Sequence, residues 1–244
     1  MVVEAEGAGG RILSSATRCL ELVDWFAGAE GPLSIGDLAE LTGDRKGTIH
    51  QRVQTLLASG WVEQLPDARY RLTLRSVVIG AAVLEQADLG SRAVPVLKEL
   101  SAATGETSTL SAFQGEGALV IQEVRTDKPL RLQVRVGTAL PLDLSAAGQA
   151  LATFATRDEL AHAQGQGAKL PQAERISQAR ARGYALQEDG FIEGISSVAM
   201  VATPTLLGSV ALAVTAPSTR FDLESYLEPL REACTRISAL LPGR

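Results

Sequence analysis

Residues 32–57 read PLSIGDLAELTGDRKGTIHQRVQTLL, and the organisation of the chain follows from them. Ser34 is placed to cap a short helix whose apolar residues are Ile35, Leu38, Ala39 and Leu41. Thr42-Gly43-Asp44 supplies a turn, with Gly43 where the backbone needs a conformation that costs glycine little. A second helix, with Asp44 as its expected N-cap, buries Ile49, Val53, Leu56 and Leu57 at spacings i, i+4, i+7 and i+8. Arg45, Lys46, Thr48, His50, Gln51 and Arg52 lie away from that stripe. Ala39 is small where two helices must approach closely. The pattern predicts a helix-turn-helix, a motif that docks its second helix in the major groove of DNA and meets base edges near that helix's N-terminus. Arg45, Lys46 and Arg52 are then expected on phosphates, and Thr48, His50 and Gln51 on bases.

Upstream, Ser14 or Ser15 is placed to cap a helix with Ala16, Cys19, Leu20, Val23 and Phe26 on one stripe, ending near Gly28. Downstream, Gly60 stops the second helix, and WVEQLPDARYRLT reads as two strands around Pro66-Asp67. A hairpin there is a wing. Arg69 and Arg71 alternate with Tyr70 and Leu72, so both arginines are expected on one face, toward phosphate or the minor groove.

The net charge of −5 does not oppose this reading, because a nucleic-acid surface is local. Between Gly43 and Arg75 six basic residues (Arg45, Lys46, Arg52, Arg69, Arg71, Arg75) face three acidic ones (Asp44, Glu63, Asp67), a local excess of +3. The alternative use of a winged helix is as a protein-interaction module.

With 244 residues, 45% hydrophobic and 21% charged, the chain has material for two folded domains. Residues 1–10, acidic and Gly-rich, are predicted to be a disordered tail without a signal-peptide core, and no apolar run approaches the ~20 residues of a membrane span. A cytoplasmic location is expected. Cys19 and Cys234 are too few and too far apart in sequence for a disulfide framework or a cysteine-based zinc site. No metal or other cofactor is expected. His50 and His162 are the only histidines, which leaves little room for a histidine-based triad. The chain has no nucleophile elbow, phosphate loop or dinucleotide fingerprint. Glu188, Asp189 and Glu193 read as a solvated turn. A small-molecule-processing enzyme carrying an accessory winged-helix module is the weaker alternative to a binding protein.

Past Arg75, the stretch 75–90 places Val78, Ala81 and Leu84 on a helical stripe, and a further helix is expected over 92–104. Strand signals follow at 107–114 and 118–124 around Gly115-Glu116-Gly117. LRLQVRVG reads as another strand, with Leu130, Leu132, Val134 and Val136 on one face. Ser145 is placed to cap a helix in which Gly148 permits close packing; helices are expected at 157–163, 172–182 and 223–241, and strands at 184–187, 196–204 and 209–215. This mixture predicts an α+β domain, an antiparallel sheet covered by helices.

Taken together, GPLSIGDLAELTG, KGTIHQRVQTL, YRL, TGET (104–107), RVGTALPLDLSAAGQAL, RARGYA, EGISSVA and GSVALAVTAP make the chain resemble IclR-type bacterial transcriptional regulators over nearly its whole length. The resemblance implies a winged helix-turn-helix (11–74), a linker helix (75–90) and a GAF-like effector-binding domain (91–244). It further implies a dimer or tetramer on a pseudopalindromic operator, switched by a small-molecule effector such as a metabolite. The chain departs from common family residues at Gly47, Gln51, Gln149 and Ser197. The effector residues are expected at Gly137, Asp143, Ser145, Ala146, Ser196 and Ser197. Ser145 starts a helix, whose free N–H groups favour a carboxylate.

Overall fold

A computed structural model describes residues 13–86, 89–115, 117–129, 131–205 and 208–240. The expected tail at 1–10 lies outside these, as do Glu116 and Leu130. The chain divides into two compact units, Met1–Val83 and Leu84–Arg244.

The first unit holds α1 (Ser14–Gly28), α2 (Ile35–Thr42), α3 (Lys46–Ala58), the hairpin β1 (Val62–Gln64) and β2 (Tyr70–Leu72), and the start of α4 (Arg75–Gln86). Leu22, Phe26, Leu38, Ile49, Val53, Leu56, Val62 and Tyr70 form its core. Ser34 caps α2 in a reciprocal box with Asp37, whose carboxyl is held below its usual range chiefly by the Ser34 backbone N–H. Gly43 closes α2 in the left-handed conformation, φ 72°, donating to Ala39 O.

Three local expectations change. No side chain caps α1, whose N-cap is Leu13. Its buried stripe is Leu22 and Phe26, with Cys19 and Val23 half-buried, and Leu20 is 58% exposed because it falls one residue off the 19–22–23–26 row. Asp44 does not cap α3. Arg45 is the N-cap residue, without a side-chain bond, and the Asp44 carboxylate accepts instead from Arg52 Nη1 at 2.5 Å.

The second unit contains α5 (Leu89–Thr104), β3 (Thr107–Gln114), β4 (Gly117–Val124), β5 (Ala139–Pro141), α6 (Ala146–Phe154), α7 (Arg157–Gly165), α8 (Ala173–Arg182), β6 (Ala185–Gln187), β7 (Ile195–Thr205), β8 (Gly208–Pro217) and α9 (Leu223–Leu240). The strands form one antiparallel sheet in the order β5-β4-β3-β8-β7-β6. Alternation sorts its faces. Leu110, Val198, Met200, Val210, Leu212 and Val214 pack with α5 and α9, whereas Ala199, Ala211 and Ala213 meet the alanine-rich α6 and Ala179 of α8. Small residues on the second face let α6 lie close to the strands. Gly148 is required there, since a Cβ would stand 2.3 Å from Pro141 O.

The stretch expected as a strand over 130–137 is not one: among its described residues no strand occurs, and β5 begins at Ala139. Leu132 and Val134 do alternate inward, but the Val134 N–H is taken by the Glu123 carboxylate (2.8 Å) rather than by a strand. Gly137, φ 92°, turns the segment back into the sheet.

Glu106, at the mouth of β3, is buried and held by Arg220 through two bonds (2.7 and 2.9 Å) and by Lys128 Nζ (2.8 Å).

Candidate DNA-reading surface and effector cavity

The start of α3 exposes Arg45, Lys46, His50 and Gln51, with Thr48 half-buried beside them. None of the first four side chains has a hydrogen-bond or ion-pair partner among the described residues, so each is available to an external acceptor. Gly47 shares this surface, and a Cβ added to it would touch nothing within 4 Å. Arg52 is different. Its side chain is 18% exposed and tied to Asp44, so it fastens the turn to the helix rather than standing free. On the hairpin, Arg71 pairs with Glu63 (2.6 Å), while Arg69 reaches Pro32 O (3.3 Å) and lies 3.9 Å from Asp67. These are exposed pairs, weak enough for a phosphate to displace. The motif thus brings together two unpaired cations, a histidine and a glutamine on α3, and two loosely held arginines on the wing.

In the second unit a cavity of about 290 Å³ opens against the α6 side of the sheet. Its floor carries Thr109, Ser197, Ala213 and Thr215, and its end wall is the start of α6, Ser145 to Ala147. The roof comes from two segments outside the sheet, with Leu132, Val134 and Arg135 on one and Phe191 and Ile192 on the other. Apolar walls therefore surround a few polar groups.

Those groups are oriented by their own bonds. Ser145 Oγ accepts from Gly148 N (3.0 Å) and donates to Pro141 O (2.7 Å), and Ser197 and Thr215 share a hydroxyl bond of 2.9 Å. Gln149 Nε2 donates to Asp143 O (2.9 Å) and Gln187 Oε1 (2.8 Å), and Arg175 Nη1 adds a third bond, to Gln187 Oε1 (3.2 Å). With its oxygen occupied, Gln187 leaves its Nε2 donor without a partner among the described residues. Among the described residues Arg135 is the only charged one lining the cavity, and no carboxylate lines it. The N–H groups at the α6 start, Gln187 Nε2 and Arg135 are all donors.

Of the residues expected at an effector site, Ser145, Ala146 and Ser197 line the cavity and three do not. Ser196 and Ser197 are adjacent in β7, so their side chains leave opposite faces. Ser196 Oγ bonds Ser218 Oγ (2.8 Å) and accepts from Asp189 N (3.3 Å). Asp143 contributes its carbonyl to Gln149 and stands behind the wall. Gly137 forms the turn next to Thr138 and carries no side chain to contribute. Sequence reasoning missed Thr109, Thr215, Gln187 and Arg135; the available signal was a set of hydroxyls interrupting strands that are otherwise apolar.

The remaining polar clusters are local. Exposed His162 contacts Gln166 (2.9 Å), and Asp189 accepts from Gly194 N within its own turn. No group of three or more potential metal ligands occurs among the described residues. No helix among them is long and apolar enough to cross a membrane.

Comparison with known proteins agrees with this division. Residues 15–66 match the IclR helix-turn-helix domain, and residues 81–239 match the bacterial transcriptional regulator IclR C-terminal domain. The chain belongs to the IclR family of bacterial transcriptional regulators. It is 29% identical to the HTH-type transcriptional regulator XynR of Escherichia coli (strain K12), over 94% of this chain and 98% of that one. Among solved structures, an IclR-type regulator from Silicibacter sp. TM1040 superposes with a TM-score of 0.82 at 23% identity, covering 94% of this chain and 97% of the other. An IclR homolog from Microbacterium hydrocarbonoxydans, crystallised with 4-hydroxybenzoate, gives 0.74 at 18% identity, covering 93% and 98%. As an IclR-type regulator the chain combines a helix-turn-helix DNA-binding domain with a C-terminal effector-binding domain.

Proposed function

We propose that this IclR-family regulator acts as a homo-oligomer on an inverted-repeat operator in the cytoplasm, and that its effector is a small organic acid held in the cavity beneath α6. The DNA-binding domain (11–74) supplies Arg45, Lys46, Arg69 and Arg71 for phosphates and Thr48, His50 and Gln51 for bases. Residues 75–90 link it to the effector domain (91–244). Two copies of α3 related by a two-fold axis call for half-sites one helical turn, about 34 Å, or a multiple of it apart. An effector that prefers one arrangement of the protein then shifts the population toward or away from DNA.

One observation carries the choice of ligand: among the described residues lining the cavity there is no carboxylate, and the free N–H groups starting α6, the Gln187 amide and Arg135 offer donors beside several hydroxyls and Gln133, among apolar walls. Such a set favours a carboxylate on a compact hydrocarbon body, with Ser145, Ala146, Ser197 and Gln187 around the acid group. The 4-hydroxybenzoate in the Microbacterium homolog is a ligand of this chemistry.

The test is thermal unfolding of the full chain with benzoate, 4-hydroxybenzoate and phenylacetate, against benzamide and benzylamine as neutral and cationic counterparts. The acids raise Tm in a concentration-dependent way and the counterparts do not. Equal shifts with benzamide would remove the carboxylate from the account.

A further inference from the structure

The helix α4 buries none of its residues among the described part of the chain, and Val77, Val78, Ile79 and Val83 along it are exposed. None of its apolar residues belongs to the core of the first unit or packs against it, so that core gives α4 no hold on α3. What joins the two is a junction at its first residue. Arg75 Nη1 donates to Ser59 O, the C-cap carbonyl of α3, at 2.5 Å, and the guanidinium lies 5.2 Å from the centre of the Trp61 ring. Thr73 completes the junction: its N–H donates to Trp61 O (3.0 Å), its hydroxyl donates to Gly60 O (2.7 Å), and that hydroxyl accepts the Arg75 N–H (3.3 Å). A cation at a helix C-terminus meets the negative end of the helix dipole, and a planar guanidinium can stack on indole while its edge donates.

We propose that Arg75 is a positioning residue that clamps the C-terminus of the recognition helix to the start of α4, so that α4 sets the angle at which α3 is presented. The inference rests on the reading that two copies of α3 occupy an inverted repeat. A single half-site needs only one α3 and its wing, whose packing rests on the core of the first unit, to which α4 contributes no residue. The full repeat needs two recognition helices at a fixed mutual angle, so the clamp should matter there alone.

The experiment uses the full chain. Duplexes bound by the wild-type protein are selected from random DNA, and affinity is measured for the selected inverted repeat and for one half-site in scrambled flanks, at several salt concentrations. Arg75→Ala is expected to lose about tenfold or more on the repeat, to keep half-site affinity within about twofold, and to leave the half-site salt slope unchanged. Arg75→Lys, which keeps the charge without the planar fork, is expected to recover less than half of the loss on a logarithmic scale. Parallel losses on both duplexes, or a half-site slope lowered by about 0.9, make Arg75 a fold or phosphate contact and overturn the clamp. Full rescue by Lys overturns it too, as does an unchanged repeat affinity in Arg75→Ala. A wild-type protein that does not prefer the repeat to the half-site removes the two-fold reading and the clamp together; one that does, beside an Arg75→Ala protein whose preference is undiminished, removes the clamp alone.

Discussion

Gln149 Nε2 donates to Gln187 Oε1 across 2.8 Å, with the two side chains only 3% and 8% exposed. This bond and the one from Arg175 occupy the Gln187 oxygen and fix the orientation of its amide beside the cavity. Gln149→Leu removes it and also leaves Asp143 O without that donor, so the variant should lose about 1–3 kcal/mol of stability, the cost of orphaning buried polar groups. Gln187→Glu places a carboxylate where an acid is proposed to bind. Thermal shifts by benzoate should disappear in Gln187→Glu and survive, weakened, in Gln149→Leu.

Arg52 and Lys46 are both cations of α3 with opposite surroundings. Lys46→Ala removes a free phosphate contact and should lower the salt slope by about 0.9 per copy without altering base preference. Arg52→Ala breaks the tie to Asp44 and should appear first in urea unfolding, as a loss of about 1 kcal/mol for a partly exposed pair. Gln51→Ala should relax preference at one base position. Quantitative binding to a library with each half-site base varied separates the three outcomes.

Gly47 lies within α3, and the space around it is open. Gly47→Ala should therefore stabilise the DNA-binding domain by about 0.5–1 kcal/mol, the usual helix penalty of glycine. A shift of the urea midpoint to higher concentration, at unchanged m-value, is the expected result.

At Glu106 burial alone would raise the carboxyl pKa, but the hydrogen bonds from Arg220 and Lys128 more than offset it and hold the group below the usual glutamate range. A depressed pKa in the folded state means stability that is complete above the unfolded value and is lost as pH falls through the folded one. Acid unfolding of the wild type should thus gain a component below about pH 4.5 that Glu106→Gln lacks. At neutral pH that variant removes the carboxylate that Arg220 and Lys128 share. Because both are partly exposed, its cost should be about 2–3 kcal/mol, below the 3–5 of a wholly buried pair.

The parts readable in the sequence were those that local chemistry enforces. The Ser34 cap, the Gly43 turn and the Ile49, Val53, Leu56 row marked the helix-turn-helix, and the strand signals at 196–204 and 209–215 marked the centre of the sheet. Two of the failures share a cause, which is that a partner elsewhere in the chain took a group the local reading had assigned. Arg52, eight residues on, claimed the expected cap Asp44, and Glu123 claimed the Val134 N–H of the expected strand. Alternating apolar residues mark a buried edge, and they cannot say whether a sheet or a cavity lies beyond it. For the same reason Ser145 was legible as a cap, whereas Gln187 became visible only when α6 and β6 were brought together.

A charged local surface on an acidic chain is proposed to hold DNA, and an organic acid in the second unit to control it. The direct measurement is footprinting of the full chain on its selected DNA from 50 to 200 mM salt, with and without 4-hydroxybenzoate. If two copies each offer Arg45, Lys46, Arg69 and Arg71, about eight phosphates are neutralised and affinity should fall about 10⁴-fold over that range. Protection should cover an inverted repeat, and the acid should change its midpoint. Protection that is independent of salt, or that spreads without a repeat, would contradict the account.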